Sequence, residues 1–367
     1  MRTIILTLGA IIAAATAIPV ATAQSIDAPQ IENARLEKKA LAGSLAAEVK
    51  AWAAKAEQPQ WMGYVVPQMG RDRAMCCDNY DGSWRNGCGT CRLEERGNGT
   101  NMTSKEEAGT TKLEAPRSLA VLFRADNRRV TKIRVVSMDC SLDAGGLPFV
   151  WLSGVKPAES VALLETFVHG SDLDARDDEH VSHDALTAIA LHADAAADRA
   201  LESFTRSSEP ESLRKQTAFW LGAAREKAGF DVLQKMAKSD PTAEVRAQVT
   251  FALSVSHEQG AVEEIIRMAH DDQSSHVRGQ ALFWLAQKAG QKAVGAITGA
   301  IENDPDTDVK KKAVFALSQL PKDEGVPKLI EVAQTNRNRE VRKQAMFWLG
   351  QSHDPRALAF FEKILSQ

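Results

Sequence analysis

The sequence predicts an α+β protein in which an all-α solenoid of stacked helix pairs, at residues 180–367, follows a small antiparallel β domain and an N-terminal helix. Three observations predict this: a 32-residue repeat in the second half, short β-like runs in the first half, and an alanine-rich stretch ahead of them. Units with such a period cannot bury their apolar faces alone, so they stack into one continuous core.

The repeat is defined by an apolar residue that recurs every 32 positions. Its six copies are Val181, Leu213, Val245, Val277, Val309 and Val341. Counted from this origin, a small or β-branched residue stands at +4 and an apolar residue at +8, which places all three on one helical stripe. A second apolar stripe at +17, +20 and +24 predicts a second helix. Each unit is therefore expected to be two amphipathic helices joined by a short turn.

Charged residues flank the origin at fixed positions. Five residues ahead of it stand Asp240, Asp272, Asp304 and Asn336, which we expect to be N-caps, with Pro241 and Pro305 at the first helical position. Directly after the origin stand Arg214, Arg246, Arg278, Lys310 and Arg342. Charge-assisted hydrogen bonds between the two sets predict a structural ladder that links adjacent units.

The pattern Asp-x4-Val-Arg, followed by Ala and Leu at helical spacing, resembles the HEAT repeat. The Phe-Trp-Leu-Gly ending resembles the short HEAT-like units also found in phycobilin lyases. The resemblance runs from near His180 to the end of the chain and implies a solenoid that binds other proteins. The first copy departs from the pattern, because Ser182 replaces the basic residue, and terminal repeats often depart in this way. A last helix at residues 355–365 is expected to close the other end.

Two sets of side chains on the repeats are candidates for binding. Lysines at +2 and +3 are predicted to attract an acidic protein surface, the alternative being an ordinary solvated face: Lys215, Lys311, Lys312 and Lys343. At +7, Trp220, Trp284 and Trp348 alternate with alanine. Packing between neighbouring units is favoured for these tryptophans over an aromatic stripe for a ligand.

The first half predicts different structure. We expect a helix at residues 28–57, a cysteine-containing β domain at 60–153, and a connecting helix with an acidic linker at 154–179. The β-like runs are residues 61–66, 118–123, 132–136 and 149–152. Asp126 and Asn127 between the second and third runs predict a hairpin. A helix is expected at residues 158–168.

All five cysteines lie in the β domain: Cys76, Cys77, Cys88, Cys91 and Cys140. Disulfides are the default in an exported protein, and an odd count leaves one thiol free or intermolecular. Two alternatives stay open: a redox pair at Cys88 and Cys91, and a zinc site that adds Cys76 and Cys77.

The N-terminus predicts export from a bacterial cytoplasm. Residues 1–23 have a basic residue, an apolar run and a small-residue cleavage site, which is typical of a secretory signal peptide. The alternative is a retained membrane anchor, because the run is as long as a membrane span. We therefore expect a periplasmic or secreted protein with no membrane span after signal removal. A net charge of −3 argues against nucleic acid as a partner.

No catalytic motif is present: the sequence has no nucleophile elbow, phosphate-binding loop or dinucleotide fingerprint. His180 and His183 are spaced for one helical face, but polar residues at an exposed junction explain them better than a metal site. No cofactor or metal is indicated. The sequence predicts a non-catalytic protein-protein interaction scaffold of the cell envelope, with a lyase-type enzyme acting on a cofactor-bearing protein and a periplasmic metal or redox sensor as alternatives.

Overall fold

The computed structural model describes residues 28–70, 74–76, 91–94, 101–103, 118–138, 140–169, 175–288 and 290–366. The strands are β1 (Ile31–Glu32), β2 (Arg35–Ala40), β3 (Gln60–Pro67), β4 (Ala74–Cys76), β5 (Cys91–Arg92), β6 (Asn101–Thr103), β7 (Ser118–Asp126), β8 (Arg129–Ser137), β9 (Leu142–Asp143) and β10 (Pro148–Ser153). The helices are α1 (Leu45–Ala53), α2 (Pro157–Val168), α3 (Ala175–Leu191), α4 (Ala195–Phe204), α5 (Glu211–Ala224), α6 (Glu226–Ser239), α7 (Ala243–Val255), α8 (Ala261–Asp271), α9 (Ser275–Lys288), α10 (Gln291–Asn303), α11 (Thr307–Ser318), α12 (Lys322–Thr335), α13 (Arg339–Gln351) and α14 (Pro355–Leu365).

The helical series confirms the predicted solenoid. The first helix of each unit, here called the A helix, carries the repeat origin, and the second is the B helix. The A helices are α3, α5, α7, α9, α11 and α13, and the B helices are α4, α6, α8, α10, α12 and α14. The origin side chains Val245, Val277 and Val341 have no exposed surface. Burying this stripe against the neighbouring unit supplies the main stabilisation of the stack.

The main sheet has the strand order β2-β10-β3-β7-β8 and is mixed. Strands β3, β7 and β8 pair antiparallel, whereas β10 runs parallel to both β2 and β3. The four predicted β-like runs are confirmed as β3, β7, β8 and β10. The prediction of an antiparallel sheet is wrong for β10, which runs parallel to β3. A second parallel pair arises from β2, a segment that was expected to be helical. The predicted hairpin is confirmed between β7 and β8, where Asn127 and Arg128 have φ values of 52° and 63°, as a tight type I′ turn requires.

The prediction of one helix over residues 28–57 is wrong. That segment contains β1, β2 and the short helix α1. Gly43 has a φ of 122°, and the Ser44 hydroxyl accepts a hydrogen bond from the Ala47 N–H, so the helix begins only at Leu45. All six side chains of β2 are exposed, and its backbone pairs with β10 at the sheet edge. Pairing at a sheet edge overrides the helix propensity of this Lys-rich and Ala-rich stretch.

The β domain and the solenoid share one hydrophobic core. Tyr64 and Phe123 from the sheet belong to the same buried cluster as Val181 and Leu186 from α3. Two main-chain hydrogen bonds also join the sheet to the solenoid. Met69 N–H donates to the Leu191 carbonyl at 2.8 Å, and Ala193 N–H donates to the Pro67 carbonyl at 2.9 Å. The segment predicted as a linker, 154–179, contains the expected helix α2 and the start of α3. The first repeat thus packs directly on the sheet.

Two glycines at the same repeat position make a matched stability test. A side chain at Gly222 would collide with the main-chain oxygen of Ala252 on the next A helix, whereas Gly350 has nothing within 4 Å of the same position. Gly222→Ala should therefore lower the free energy of unfolding by about 2 kcal/mol. Gly350→Ala should raise it by about 0.5–1 kcal/mol, since alanine is the better helix former. Urea denaturation of both variants checks this, and equal effects would contradict the close approach of α5 and α7.

Candidate protein-binding surface

The basic residue after the repeat origin links consecutive units in three places. Arg246 Nε and Nη2 donate to the carboxylate of Asp272 at 2.8 and 2.9 Å. Arg278 makes the same two bonds to Asp304 at 2.7 and 3.0 Å, and Arg214 makes them to Asp240 at 2.9 and 3.3 Å. All six residues are buried. The bidentate geometry fixes each unit against the next.

The hydrogen bonds of the ladder favour the charged forms of Arg278 and Asp272. The hydrogen bond to Asp304 raises the pKa of Arg278. Burial alone would raise the pKa of the Asp272 carboxyl, but the hydrogen bonds from Arg246 and from the Ser274 N–H outweigh burial and lower that pKa. Arg278 and Asp272 are therefore held in the ionised state.

The remaining two ladder residues do not reach a carboxylate. Lys310 Nζ donates to the Glu302 carbonyl at 2.7 Å. Arg342 Nη1 donates to the Asn336 carbonyl at 2.8 Å. Asn336 presents an uncharged amide to Lys310 where the earlier units present Asp. Within the described repeats, the bidentate ion pair occurs at the first three steps.

The predicted N-caps are wrong by two residues. Asp240, Asp272, Asp304 and Asn336 instead cap the C-terminus of the preceding B helix. The N-caps of α7, α11 and α13 are Thr242, Asp306 and Asn338. Each predicted residue accepts a hydrogen bond from the N–H two residues further on, at 2.8 to 2.9 Å. This Asx turn delays the helix start until after Pro241 and Pro305.

Aromatic side chains form a continuous row along the A helices, which we call the aromatic strip. Phe219 stacks on Phe251 with ring centroids 5.9 Å apart, and Phe283 stacks on Phe315 at 6.1 Å. Trp284 bridges from Phe251 at 4.6 Å, and Trp348 continues from Phe315 at 4.9 Å. The members are Phe219, Trp220, Phe251, Phe283, Trp284, Phe315, Phe347 and Trp348. Most are half-buried, and Phe347 is 54% exposed.

From the sequence, the tryptophans of the strip were considered as possible binding residues, but its phenylalanines were not. Trp284 and Trp348 contact rings of the preceding unit, in keeping with the packing interpretation, whereas Trp220 contacts Phe219 of its own helix. The phenylalanines at +6 were not recognised as a surface from the sequence. Their signal was available, because a phenylalanine recurs in five successive copies at a position outside the buried stripe of 0, +4 and +8.

The candidate lysines lie beside the strip, because positions +2 and +6 are four residues apart on one helix. Three of them pair with an acidic residue of their own helix. Lys215 reaches Glu211 at 3.0 Å, Lys311 reaches Asp308 at 2.8 Å and Lys343 reaches Glu340 at 3.0 Å. Lys312 lies across Gly279 of the preceding A helix. Such exposed pairs contribute little to stability and leave the charges accessible to a partner.

Two of the five cysteines can be placed by side chain. Cys91 and Cys140 are buried in a second core on the far side of the sheet, with Trp61 and Leu142. Neither is a free thiol. Cys77 and Cys88 lie outside the described residues, and Cys76 is placed only as the end of β4. The pairing scheme, the redox pair and the zinc site stay predictions.

A charged cluster lies where α3 meets β8. Burial raises the pKa of the Asp184 carboxyl to about 6, against the opposing effect of the nearby His183 and Lys132. His180 and His183 are exposed. Across the ranges that the structure describes, no three His, Cys, Asp or Glu residues form a group able to hold a metal ion. Among those same residues, no helix is both long enough and apolar enough to cross a membrane.

The stacked helix pairs define an α-solenoid. The family model for HEAT repeats matches residues 198–286, 262–347 and 296–367. Residues 198–367 of this chain are HEAT repeats, which confirms the predicted resemblance.

Two of the solved structures that are similar to part of this chain are as follows. Human deoxyhypusine hydroxylase, in complex with glycerol, is 14% identical with a TM-score of 0.31, over 56% of this chain and 90% of that chain. The complex of CpcE and CpcF of phycocyanin lyase from Nostoc sp. PCC7120 is 19% identical with a TM-score of 0.29, over 54% of this chain and 77% of that chain. At these identities and TM-scores neither structure carries an argument about this chain. A comparison with curated proteins finds no match.

Proposed function

We propose that this protein is a non-catalytic interaction scaffold of the bacterial cell envelope and binds a protein partner through the aromatic strip and its flanking lysines. The observation that supports this is the strip itself. It is a row of touching rings that stays partly open to solvent along five A helices and ends at the exposed Phe347. Contiguous exposed apolar surface of this kind marks interaction sites, and aromatic anchors supply most of the binding energy at such sites.

The lysines define the chemistry of the partner. Lys311 and Lys343 are held by single carboxylates on their own helices, with 40% and 56% of their side-chain surface exposed. An acidic group on a partner can replace those carboxylates at little cost. The proposed partner therefore presents apolar side chains to the rings and carboxylates to the lysines.

The cellular location is part of the proposal. It rests on the signal-like residues 1–23, which lie outside the described residues. It is supported by Cys91 and Cys140, since buried cysteines without a free thiol are typical of an oxidising compartment. The lyase and sensor alternatives gain no specific observation from the described residues.

The test is affinity capture from periplasmic extract with the mature chain. The variants Phe347→Ala and Lys343→Glu should each weaken binding of the captured partner about tenfold or more, because each removes one anchor of the surface. Leu36→Ala is the matched control, since Leu36 is 41% exposed on β2, away from the solenoid. A captured protein whose affinity is the same for all three variants would contradict binding through the strip.

A further inference from the structure

A cavity of about 170 Å³ lies between the C-terminal ends of α11 and α13 and the start of α12. We call it the Ser352 recess. The residues that matter to it are Ser318, Leu320, Lys322, Trp348, Gln351 and Ser352, which all line its wall. An apolar cavity of about 150 Å³ can hold a benzene molecule, so the recess has room for a small organic group.

The same place in the repeats 64 residues earlier is occupied by a lysine. Ser254, Trp284 and Gln287 correspond by the period to Ser318, Trp348 and Gln351, and Lys288 corresponds to Ser352. Lys288 Nζ donates to the carbonyl oxygens of Ser254 and Ser256 at 2.7 and 2.5 Å. The lysine thus caps the C-terminal end of the A helix α7.

A further 64 residues earlier, an arginine has the same role. Arg225 Nη1 donates to the carbonyl oxygens of His192 at 2.6 Å and of Ala190 at 3.3 Å. His192 and Ala190 correspond by the period to Ser256 and Ser254. Helix C-termini leave carbonyl groups without intrahelical partners and carry partial negative charge, which a cation satisfies. Among the three places that are 64 residues apart, two therefore contain a cation supplied by the chain: Lys288, and Arg225, which lies one residue beyond the exact period.

The third place lacks that cation. Ser352 is short and uncharged, and His353, one residue further on, is exposed and does not line the recess. The carbonyl oxygens of Ser318 and Leu320 accept no hydrogen bond from any residue of the described solenoid. Lys322 lines the wall but is exposed, and its own carbonyl accepts a bond from Arg356.

We propose that the Ser352 recess binds an ammonium or guanidinium group on a short alkyl stem. The cation would take the position of the Lys288 ammonium at the end of α11, beside Trp348, which lines the recess. The group can come from a basic side chain of a bound protein or from a free organic amine. This inference is independent of the scaffold proposal, because its test uses small probes and no protein partner.

The probe is n-butylammonium chloride, titrated into the mature chain while melting temperature and tryptophan fluorescence are followed. Sodium chloride at equal concentration corrects for ionic strength, and n-butanol is the neutral probe of similar size. We expect saturable binding of n-butylammonium and at least fivefold weaker binding of n-butanol. Equal affinity for the two probes would overturn the proposal.

Two substitutions exchange the residues found at the corresponding positions 288 and 352. Ser352→Lys should fill the recess, raise the melting temperature and abolish the n-butylammonium response. Lys288→Ser should lower the melting temperature and create a second site, so that n-butylammonium restores part of the loss. An unchanged response of Ser352→Lys, or a response of Lys288→Ser when the wild type shows none, would overturn the proposal.

A final arm distinguishes the source of the cation. The capped tripeptide acetyl-Ala-Lys-Ala-amide is titrated in competition with n-butylammonium. Displacement of n-butylammonium by the tripeptide supports a protein side chain as the natural ligand, and binding of n-butylammonium without displacement supports a free amine.

Discussion

Replacing Arg278 by alanine should lower the free energy of unfolding by about 3–5 kcal/mol, because it leaves a buried carboxylate without its partner. Arg278 and Asp304 are 7% and 8% exposed, and two hydrogen bonds join them. A third bond, from Arg278 Nη1 to the Asp272 carbonyl at 2.8 Å, is lost as well. Arg278→Ala therefore removes three hydrogen bonds from one place in the stack of units.

The matched control for Arg278 is Arg342, which occupies the same repeat position on α13. Arg342 is half-buried. Within the described solenoid its side chain donates hydrogen bonds to main-chain carbonyls and not to a carboxylate. Arg342→Ala should cost about 1 kcal/mol or less. Urea unfolding followed by helical circular dichroism measures both variants. The double variant Arg278→Ala/Asp304→Ala should recover part of the stability, since no charge stays buried. Similar losses for Arg278→Ala and Arg342→Ala would contradict the ladder.

The second large effect is a loss of stability in acid caused by His192. This side chain is fully buried at the junction of the sheet and the solenoid. Its Nδ1–H donates to the Ala188 carbonyl at 2.6 Å, and its Nε2 accepts from the Ser160 hydroxyl at 2.8 Å. Ser160 in turn lies 2.7 Å from the Tyr64 hydroxyl. In this arrangement the neutral imidazole accepts the Ser160 proton at Nε2, and protonation of the ring removes that acceptor.

Burial lowers the pKa of His192 from 6.5 to about 4, and the charge of Arg225 acts in the same direction. Between these two pH values the unfolded chain binds the proton and the folded chain does not. The stabilisation is therefore complete above pH 6.5 and is lost as the pH falls to 4. The expected loss is about 3 kcal/mol.

The measurement is the free energy of unfolding from pH 7 to pH 4 for the wild type and His192→Gln. The variant should be less stable at pH 7 but lose less stability in acid, because glutamine does not titrate. His257→Gln, at an exposed histidine, should follow the wild type. The raised pKa of Asp184 makes the unfolding free energy change with pH in the opposite direction between the ordinary pKa of an aspartate and about 6. This contribution is common to the wild type and the variants, so the effect of His192 is obtained from the difference between their curves. Parallel curves for His192→Gln and the wild type would contradict the assignment.

The repeats could be predicted because their information is local and periodic. The apolar origin and the spacing of +4 and +8 define a helical stripe, and six copies of it define a stack. The Asp and Arg positions were also predictable as a linked set. The hydrogen bonds that these residues make were not predictable. Asp272 accepts from both Arg246 and the Ser274 N–H, and this geometry moves the helix start by two residues.

The N-terminal half was less predictable because its pairing is between distant residues. The segment that forms β2 has the composition of a helix, and only the parallel pairing of Arg35–Ala40 with Pro148–Ser153 makes it a strand. For the same reason the sequence indicated an antiparallel sheet and a separate domain. The strands themselves were found, since alternating and β-branched runs carry their own signal.

By itself, the sequence determined that this protein is a stack of HEAT-type helix pairs with a β-containing first half, since a repeated apolar stripe has only one way to be buried. Only the tertiary structure decided where the surfaces and cavities lie. The aromatic strip, the buried His192 network and the Ser352 recess each depend on residues from three or more elements meeting in space. The sequence shows the recurring phenylalanines of the strip, but not the contacts between elements that bring the members of each site together.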